Sequence, residues 1–271
     1  MDTESRQLVA AIEAAQGLIV VLTGAGISLA SGIPTFRGSD PGAIWAHDIT
    51  ELATLRYFTS DPVGAWRWYR ERFLRVLAAH PNPAHRALAV IERWQARRRR
   101  DFLLVTQNID TLHERAGSTR VVKVHGSADR CRCANPMCRL GAVESIALDD
   151  VDFAAFDRDP RVGAIPSCPA CGTPVRPHVL WFDELYVSHA DYQWHVVDAA
   201  AARIQLLICV GTSLAVGVTS FLQSAAADAE APVFLVDPGE RPRDAHRSMV
   251  HVRAKAEELL PETCGLLTRI A

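Results

Sequence analysis

GLIVVLTGAGISLASGIPTFRG, residues 17–38, is the stretch from which the fold can be read. Leu18 to Leu22 is an unbroken apolar run, too short to cross a membrane and of the length of a parallel strand covered on both faces. It gives way to Gly24-Ala25-Gly26, where the backbone can bend sharply and approach a ligand, and to Ser28 and Ser31, residue types that start helices. A strand, a glycine turn and a helix N-terminus hold phosphate through backbone N–H groups and the positive end of the helix dipole. The dinucleotide fingerprint asks for a third glycine where this chain has Leu29. The stretch continues instead into a proline-bearing loop that carries Thr35, Phe36 and Arg37.

The same grammar recurs along the chain. Phe102 to Val105 leads into Thr106-Gln107-Asn108-Ile109-Asp110, and Val121 to Val124 leads into His125-Gly126-Ser127. Ile204 to Val210 leads into Gly211-Thr212-Ser213, and Val233 to Val236 into Asp237-Pro238-Gly239. Helical patterns lie between these runs, so the expected fold is an α/β doubly wound parallel sheet of Rossmann-like type, with functional groups at the carboxyl ends of its strands. Asn108 and Asp110 can also be read as caps of a short helix beginning near Ile109. Two helix starts are explicit: Asp61 before Pro62, and Asn82 between Pro81 and Pro83. On the first of these helices Tyr69 and Arg72 are three apart and share a face. Residues 38–59 read as a lid or small helices anchored by Trp45 and Leu52, and Arg97 to Arg100 as a solvated helix end.

A formal net charge of -2 with 49% hydrophobic residues describes a globular protein without an electrostatic footprint for nucleic acid. The acidic, amphipathic opening segment is unlike an export signal, which implies a cytoplasmic protein with reduced thiols. Of the seven cysteines, five fall between Cys131 and Cys171. Cys133-x4-Cys138 and Cys168-x2-Cys171 present four thiolates from two tight turns, a set suited to tetrahedral zinc. Cys131 competes with Cys133 through a looser chelate, and Cys209 and Cys264 read as small buried hydrophobes. Residues 129–177 therefore form an inserted small zinc domain between 1–128 and 178–271, joined by part of the helical segment 39–80.

Taken together, GAGIS, SGIPTFRG, TQNID, VHGS, RPHVLWFDE and GTSL, with a terminus beginning Lys255-Ala256-Glu257, resemble in content and order the motifs of the sirtuins, NAD-dependent protein-lysine deacylases. The resemblance runs from Gly24 to Pro261. It implies NAD as co-substrate, a structural zinc, and acylated-lysine proteins or peptides as partners. It also implies that His125 is the general base for a ribose hydroxyl of an acyl-linked intermediate and that Asn108 orients the ribose and a water. Asp110 would hold the carboxamide and Gln107 the ribose region. Gly24, Ala25, Gly26, Ser28, Thr35, Phe36, Arg37, Ile109, Gly211, Thr212, Ser213, Asp237 and Ala256 would complete the NAD contacts. The segment with Val179, Trp181 and Phe182 would pair its backbone with the substrate peptide. Two positions depart from the family pattern: Asp183 stands where glycine is usual and Asp237 where asparagine is common. The implied products are free lysine, nicotinamide and O-acyl-ADP-ribose.

Tyr69 and Arg72 match the Tyr-x-x-Arg pair of sirtuins that prefer succinyl and malonyl groups, and an arginine fork is suited to a terminal carboxylate. Simple deacetylation is the main rival. An NAD hydrolase or ADP-ribosyltransferase, and a non-catalytic ADP-ribose-binding module, are the alternatives from other classes.

Overall fold

A computed structural model describes residues 3–35, 49–242, 245 and 248–269. Phe36, Arg37 and Trp45 lie outside the described residues. Six parallel strands form the main sheet: β1 (Leu18–Thr23), β2 (Phe102–Thr106) and β3 (Val121–Lys123) early in the chain, and β7 (Ile204–Val210), β8 (Val233–Val236) and β9 (Val250–Val252) late. Between them in sequence, β4 (Gly126–Cys133), β5 (Ile146–Ala147) and β6 (Val175–Val179) form a small antiparallel sheet in the order β5-β4-β6. The main order, β3-β2-β1-β7-β8-β9, makes β1 central. From β1 the chain first builds outward to β2 and β3, and later returns to build the other way from β7, so the order reverses between β1 and β7.

The uninterrupted apolar run of β1 follows from this position. Ile19 and Val21 enter a core shared with the helices Thr3–Ala14, Pro83–Arg97 and Ala256–Arg269, through Leu8, Ile12, Leu88, Ile91 and Leu260. Leu18, Val20 and Leu22 enter the opposite core, against Val197 of the helix Trp194–Ala201 and Val218 and Leu222 of the helix Gly217–Asp228. A strand covered on both faces has no polar side to display. A third core joins the small sheet to the helix Pro62–Ala78, with Trp66, Tyr69 and Phe73 against Val175, Val179 and Trp181. The Trp66 indole also donates to the Val175 carbonyl at 2.8 Å.

Both expected helix starts are present. Asp61 accepts from the Gly64 N–H at 2.8 Å with Pro62 behind it, and Asn82 accepts from the Ala84 N–H at 2.9 Å. Asn82 also donates to the Ile27 carbonyl at 2.7 Å, tying its helix to the glycine turn after β1. Other details differ from the sequence reading. The turn after β1 enters a 3-10 helix, Ala25–Ser31, whose cap is Gly24 with no side-chain bond, so Ser28 is not a helix starter. β3 ends at Lys123 rather than Val124, and the short edge strand β9 has no counterpart in that reading.

The main and small sheets meet at Gly126, which directly follows β3's exit through His125. Gly126 has φ +83, and a Cβ there would overlap the carbonyl oxygen of His178. Gly126→Ala is expected to cost about 3 kcal/mol through positive-φ strain and displacement of β6, seen as a lower urea midpoint. An unchanged midpoint would show that this crossing tolerates a side chain.

Candidate active site

Open parallel sheets bind ligands outside the carboxyl ends of their strands where strand order reverses, here between β1 and β7. The two loops that emerge there are locked together without side chains. The Gly26 N–H donates to the Gly211 carbonyl at 2.8 Å, and the Gly24 N–H to the Val210 carbonyl at 3.0 Å. A Cβ on Gly24 would lie 2.8 Å from the Gly211 oxygen, and one on Gly26 would lie 2.7 Å from Gly211 Cα. Gly211 itself has φ +57 and abuts the Ile27 nitrogen. These glycines are therefore required by contact between loops, not only by the approach of a ligand.

The polar groups expected from the sequence gather on this seam. Asn108 donates to the Gly24 carbonyl at 3.0 Å and to Ser28 Oγ at 3.1 Å. Ser28 Oγ donates to Asp110 Oδ2 at 2.8 Å, and Asp110 Oδ1 accepts from the Leu112 N–H at 3.0 Å. Asp110 thus both accepts from the first N–H of the helix Leu112–Arg115, whose N-cap is Thr111, and faces the glycine turn. Gln107 Nε2 donates to Thr212 Oγ1 at 3.1 Å, joining the ends of β2 and β7. Ile109 packs partly buried beside the third core and gives its carbonyl to the Ala128 N–H at 2.7 Å. Thr35 is half-buried and Ser213 exposed. Farther along the same edge, Asp237 folds back to accept from the Gly239 N–H at 2.8 Å, while Ala256 is buried at the start of the last helix. Lys123, which the sequence reading passed over, donates to the Asp110 carbonyl at 2.5 Å and to Ser127 Oγ at 2.7 Å.

His125 stands at the exit of β3. Its Nδ1 lies 2.8 Å from the Gln107 carbonyl, which can only accept, so Nδ1 carries the proton and Nε2 the lone pair. Burial pushes the imidazole pKa down to about 4, against the opposing effect of that carbonyl bond, and the ring is neutral at neutral pH. An imidazole with one nitrogen fixed as donor and the other left basic is set up to accept a proton.

β6 and the segment after it border this site. Val179 pairs with Gly126, and Leu180 N–H donates to the His125 carbonyl at 3.0 Å. Trp181 is an interior residue: its indole donates to Tyr69 Oη at 2.8 Å, and the Arg176 guanidinium lies 3.3 Å from its ring centroid. Tyr69 is likewise buried, whereas Phe182 is 50% exposed. Arg72 lies over the Trp68 ring at 3.8 Å and donates to the Trp68 carbonyl at 3.0 Å. Asp183 has a clear local task. Its carboxylate accepts from the Leu55 and Arg56 N–H groups at 2.7 and 3.1 Å, at the first turn of the helix Leu55–Ser60. A glycine could not make those bonds.

The Sir2 family profile matches residues 24–218, and the NAD-dependent protein deacylase 1 of Pseudomonas aeruginosa is 41% identical over 245 residues, covering 90% of this chain and 92% of that protein. The chain belongs to the Sir2 family. An NAD-dependent protein deacetylase of Sulfurisphaera tokodaii is 36% identical over 89% of this chain and 88% of its own length. A solved Sir2 homologue–NAD complex, 32% identical, superposes with TM-score 0.79 over 100% of this chain and 95% of that one. A Sir2 structure with deacetylated p53 peptide and 3′-O-acetyl ADP-ribose, 27% identical, superposes with TM-score 0.78 over 96% and 97%.

This Sir2 chain brings together the four cysteines expected of a zinc site. The sulfurs of Cys133, Cys138, Cys168 and Cys171 all lie within 4.8 Å of one another, with Cys133 to Cys171 at 3.4 Å and Cys138 to Cys168 at 3.9 Å. Zn–S bonds of about 2.3 Å in a tetrahedron require sulfurs about 3.8 Å apart, so the set fits. Cys131 is buried outside this cluster, with burial pushing its thiol up to about 12. Among the described residues a second cluster, His178, His189 and Asp191, has ligand atoms equally close. Burial first, and then Arg132 and Arg176, favour neutral imidazoles there, and the same guanidinium charges oppose a divalent cation. No helix among the described residues is long and apolar enough to cross a membrane. Metal analysis of the purified protein is expected to find about one zinc per chain, lost in Cys168→Ser and retained in Cys131→Ser. Loss in Cys131→Ser with retention in Cys168→Ser would reassign the ligands.

Proposed function

We propose that this chain is an NAD-dependent protein-lysine deacylase in which His125 is the general base. The observation that carries the reading is the fixed, neutral imidazole just beyond the carboxyl end of β3, one nitrogen tied to the carbonyl of Gln107 at the end of β2 and the other basic. NAD, when bound, supplies an activated anomeric carbon from which nicotinamide departs. The residues suited to hold it are Gly24, Ala25, Gly26 and Ser28 with Gly211, Thr212 and Ser213 at the seam, and Thr35, Asp237 and Ala256 along the edge. Phe36, Arg37 and Ile109 complete the proposed set. Gln107, Asn108 and Asp110 lie at the end of β2, where an amide and a carboxylate can orient a ribose and a carboxamide. His125 Nε2 takes the proton of a ribose hydroxyl while its Nδ1–H stays on the Gln107 carbonyl, which steadies the imidazolium that results. Zinc is structural in this reading, a cross-link of the small domain that takes no part in the chemistry.

The acyl-lysine peptide is assigned to the exposed edge around Phe182. The N–H groups of Leu180, Trp181, Phe182 and Glu184 are already bonded within the chain, so pairing with a peptide falls to the remaining backbone groups of the segment. Val179 and Trp181 then contribute as its buried support rather than as contact surface.

The finer reading is a preference for acidic acyl groups, with Arg72 as the carboxylate-binding fork and Tyr69 beside it. Their shared helix packs on Trp181 and so lies directly behind the proposed peptide edge. Tyr69 has its hydroxyl engaged by Trp181, an arrangement that fits a pocket wall. The alternative is a plain deacetylase in which Arg72 is structural.

Acetyl-lysine and succinyl-lysine peptides, each followed by mass spectrometry, test the proposal. His125→Ala is expected to slow turnover about a thousandfold while ADP-ribose still binds. Arg72→Met is expected to reduce desuccinylation at least about tenfold more than deacetylation. Unchanged turnover in His125→Ala would remove the base, and equal losses in Arg72→Met would remove the acidic-acyl pocket.

A further inference from the structure

Segment 182–187 runs along the surface with Leu185 and Val187 each 71% exposed, yet Tyr186, between them, is turned inward. Its ring lies nearly parallel to the His125 imidazole, centroids 5.9 Å apart and planes 15° apart, and stacks with Trp194 at 4.5 Å and 16°. Trp194 in turn rests on Phe221 at 5.0 Å, so the stack is anchored on two helices behind the sheet.

The hydroxyl has a defined proton. Tyr186 Oη accepts from the Val218 N–H at 3.2 Å, in the first turn of the helix Gly217–Asp228. It also lies 3.5 Å from His125 Nε2. Because Nδ1 bears the imidazole proton, Nε2 can only accept, and the Tyr186 O–H is the donor. The bond is long, as those of catalytic groups often are before ligands arrive, and is therefore easily exchanged. A Cβ at Gly217 would meet the Tyr186 ring at 3.7 Å, an ordinary van der Waals contact, so the ring lies close against the start of this helix. Of the charged groups on neighbouring segments, Asp110 is engaged by Ser28 and the Leu112 N–H, and Lys123 by Glu114 and Ser127, so none of these replaces the phenol at Nε2.

We propose that Tyr186 is a positioning residue for His125: in the unliganded enzyme its ring fixes the imidazole plane and its hydroxyl occupies Nε2, a place it yields to the substrate hydroxyl. The proposal rests on the reading of His125 as general base. Its physical content is preorganisation: the lone pair is held on the line along which a proton will later arrive, by a group already fixed to the helix N-terminus through Val218. With Gln107 on one nitrogen and Tyr186 on the other, the ring has no competing orientation.

The test uses Tyr186→Phe, which keeps the ring, and Tyr186→Leu, which removes it. In full-length protein labelled with 15N-histidine, the His125 Nε2 resonance is located by its loss in His125→Ala. In Tyr186→Phe it is expected to move downfield toward an unbonded imidazole nitrogen, while Nδ1 stays in place. Turnover number with acetyl-lysine peptide is expected to stay within about twofold of wild type in Tyr186→Phe, because the hydroxyl has left Nε2 before the substrate hydroxyl gives up its proton. It is expected to fall about thirtyfold in Tyr186→Leu, where the stack goes too, with Tyr186→Phe recovering the difference. An unmoved Nε2 resonance in Tyr186→Phe, or wild-type turnover in Tyr186→Leu, would overturn the proposal. The resonance arm needs no turnover, so a wild-type protein inactive on acyl peptides would remove the deacylase reading and still leave the Tyr186 contact tested.

Discussion

Everything at the site depends on the closeness of two glycine loops. The Gly26 N–H reaches the Gly211 carbonyl at 2.8 Å because neither residue has a side chain to hold the backbones apart. That single seam carries the pairing of β1 with β7 on past Thr23 and Val210 into the loops at the reversal of strand order, where Gln107, Asn108 and Asp110 converge. Thr212 and Ser28, one from each loop, receive the polar side chains that β2 delivers. The helix at Pro83 is bound to the same seam through Asn82 and the Ile27 carbonyl, so the outer shell of the fold also reports to it.

A second fixed point stabilises the small domain against the first. Glu184 accepts from Arg132 and Arg176, both at 2.7 Å, with all three side chains nearly inaccessible to water. Buried charge is costly unless its partners are present, and the two guanidinium groups hold the Glu184 carboxyl below its ordinary range despite the opposing effect of burial. The consequence is geometric. β4, β6 and the turn at Trp181 become one unit, and Asp183 next to it grips the helix Leu55–Ser60.

Local signals in the sequence reached most of the fold. β1 reads as a doubly covered strand because Leu18 to Leu22 contains no polar residue, and Asp61 and Asn82 announce their helices through short-range capping chemistry. His125 and the four clustered cysteines carry motif spacing. Long-range contacts were not legible. Nothing in Gly24-Ala25-Gly26 says that Gly211 will fill the space of its missing side chains. Trp181 resembles a surface contact until its indole is seen on Tyr69. Asp183 stood out as a departure, but its use as a helix cap depends on a segment far away in the chain. Tyr186 had no signal at all, since its neighbours Leu185 and Val187 look more apolar and are the ones left in solvent.

The most direct test of the seam is calorimetric titration of ADP-ribose into wild type and Gly26→Ala, each with its zinc content and circular dichroism checked first. The account predicts that the added methyl, 2.7 Å from Gly211 Cα, forces the loops apart and weakens ADP-ribose at least about tenfold in protein that still holds zinc. Wild-type affinity in Gly26→Ala would contradict it.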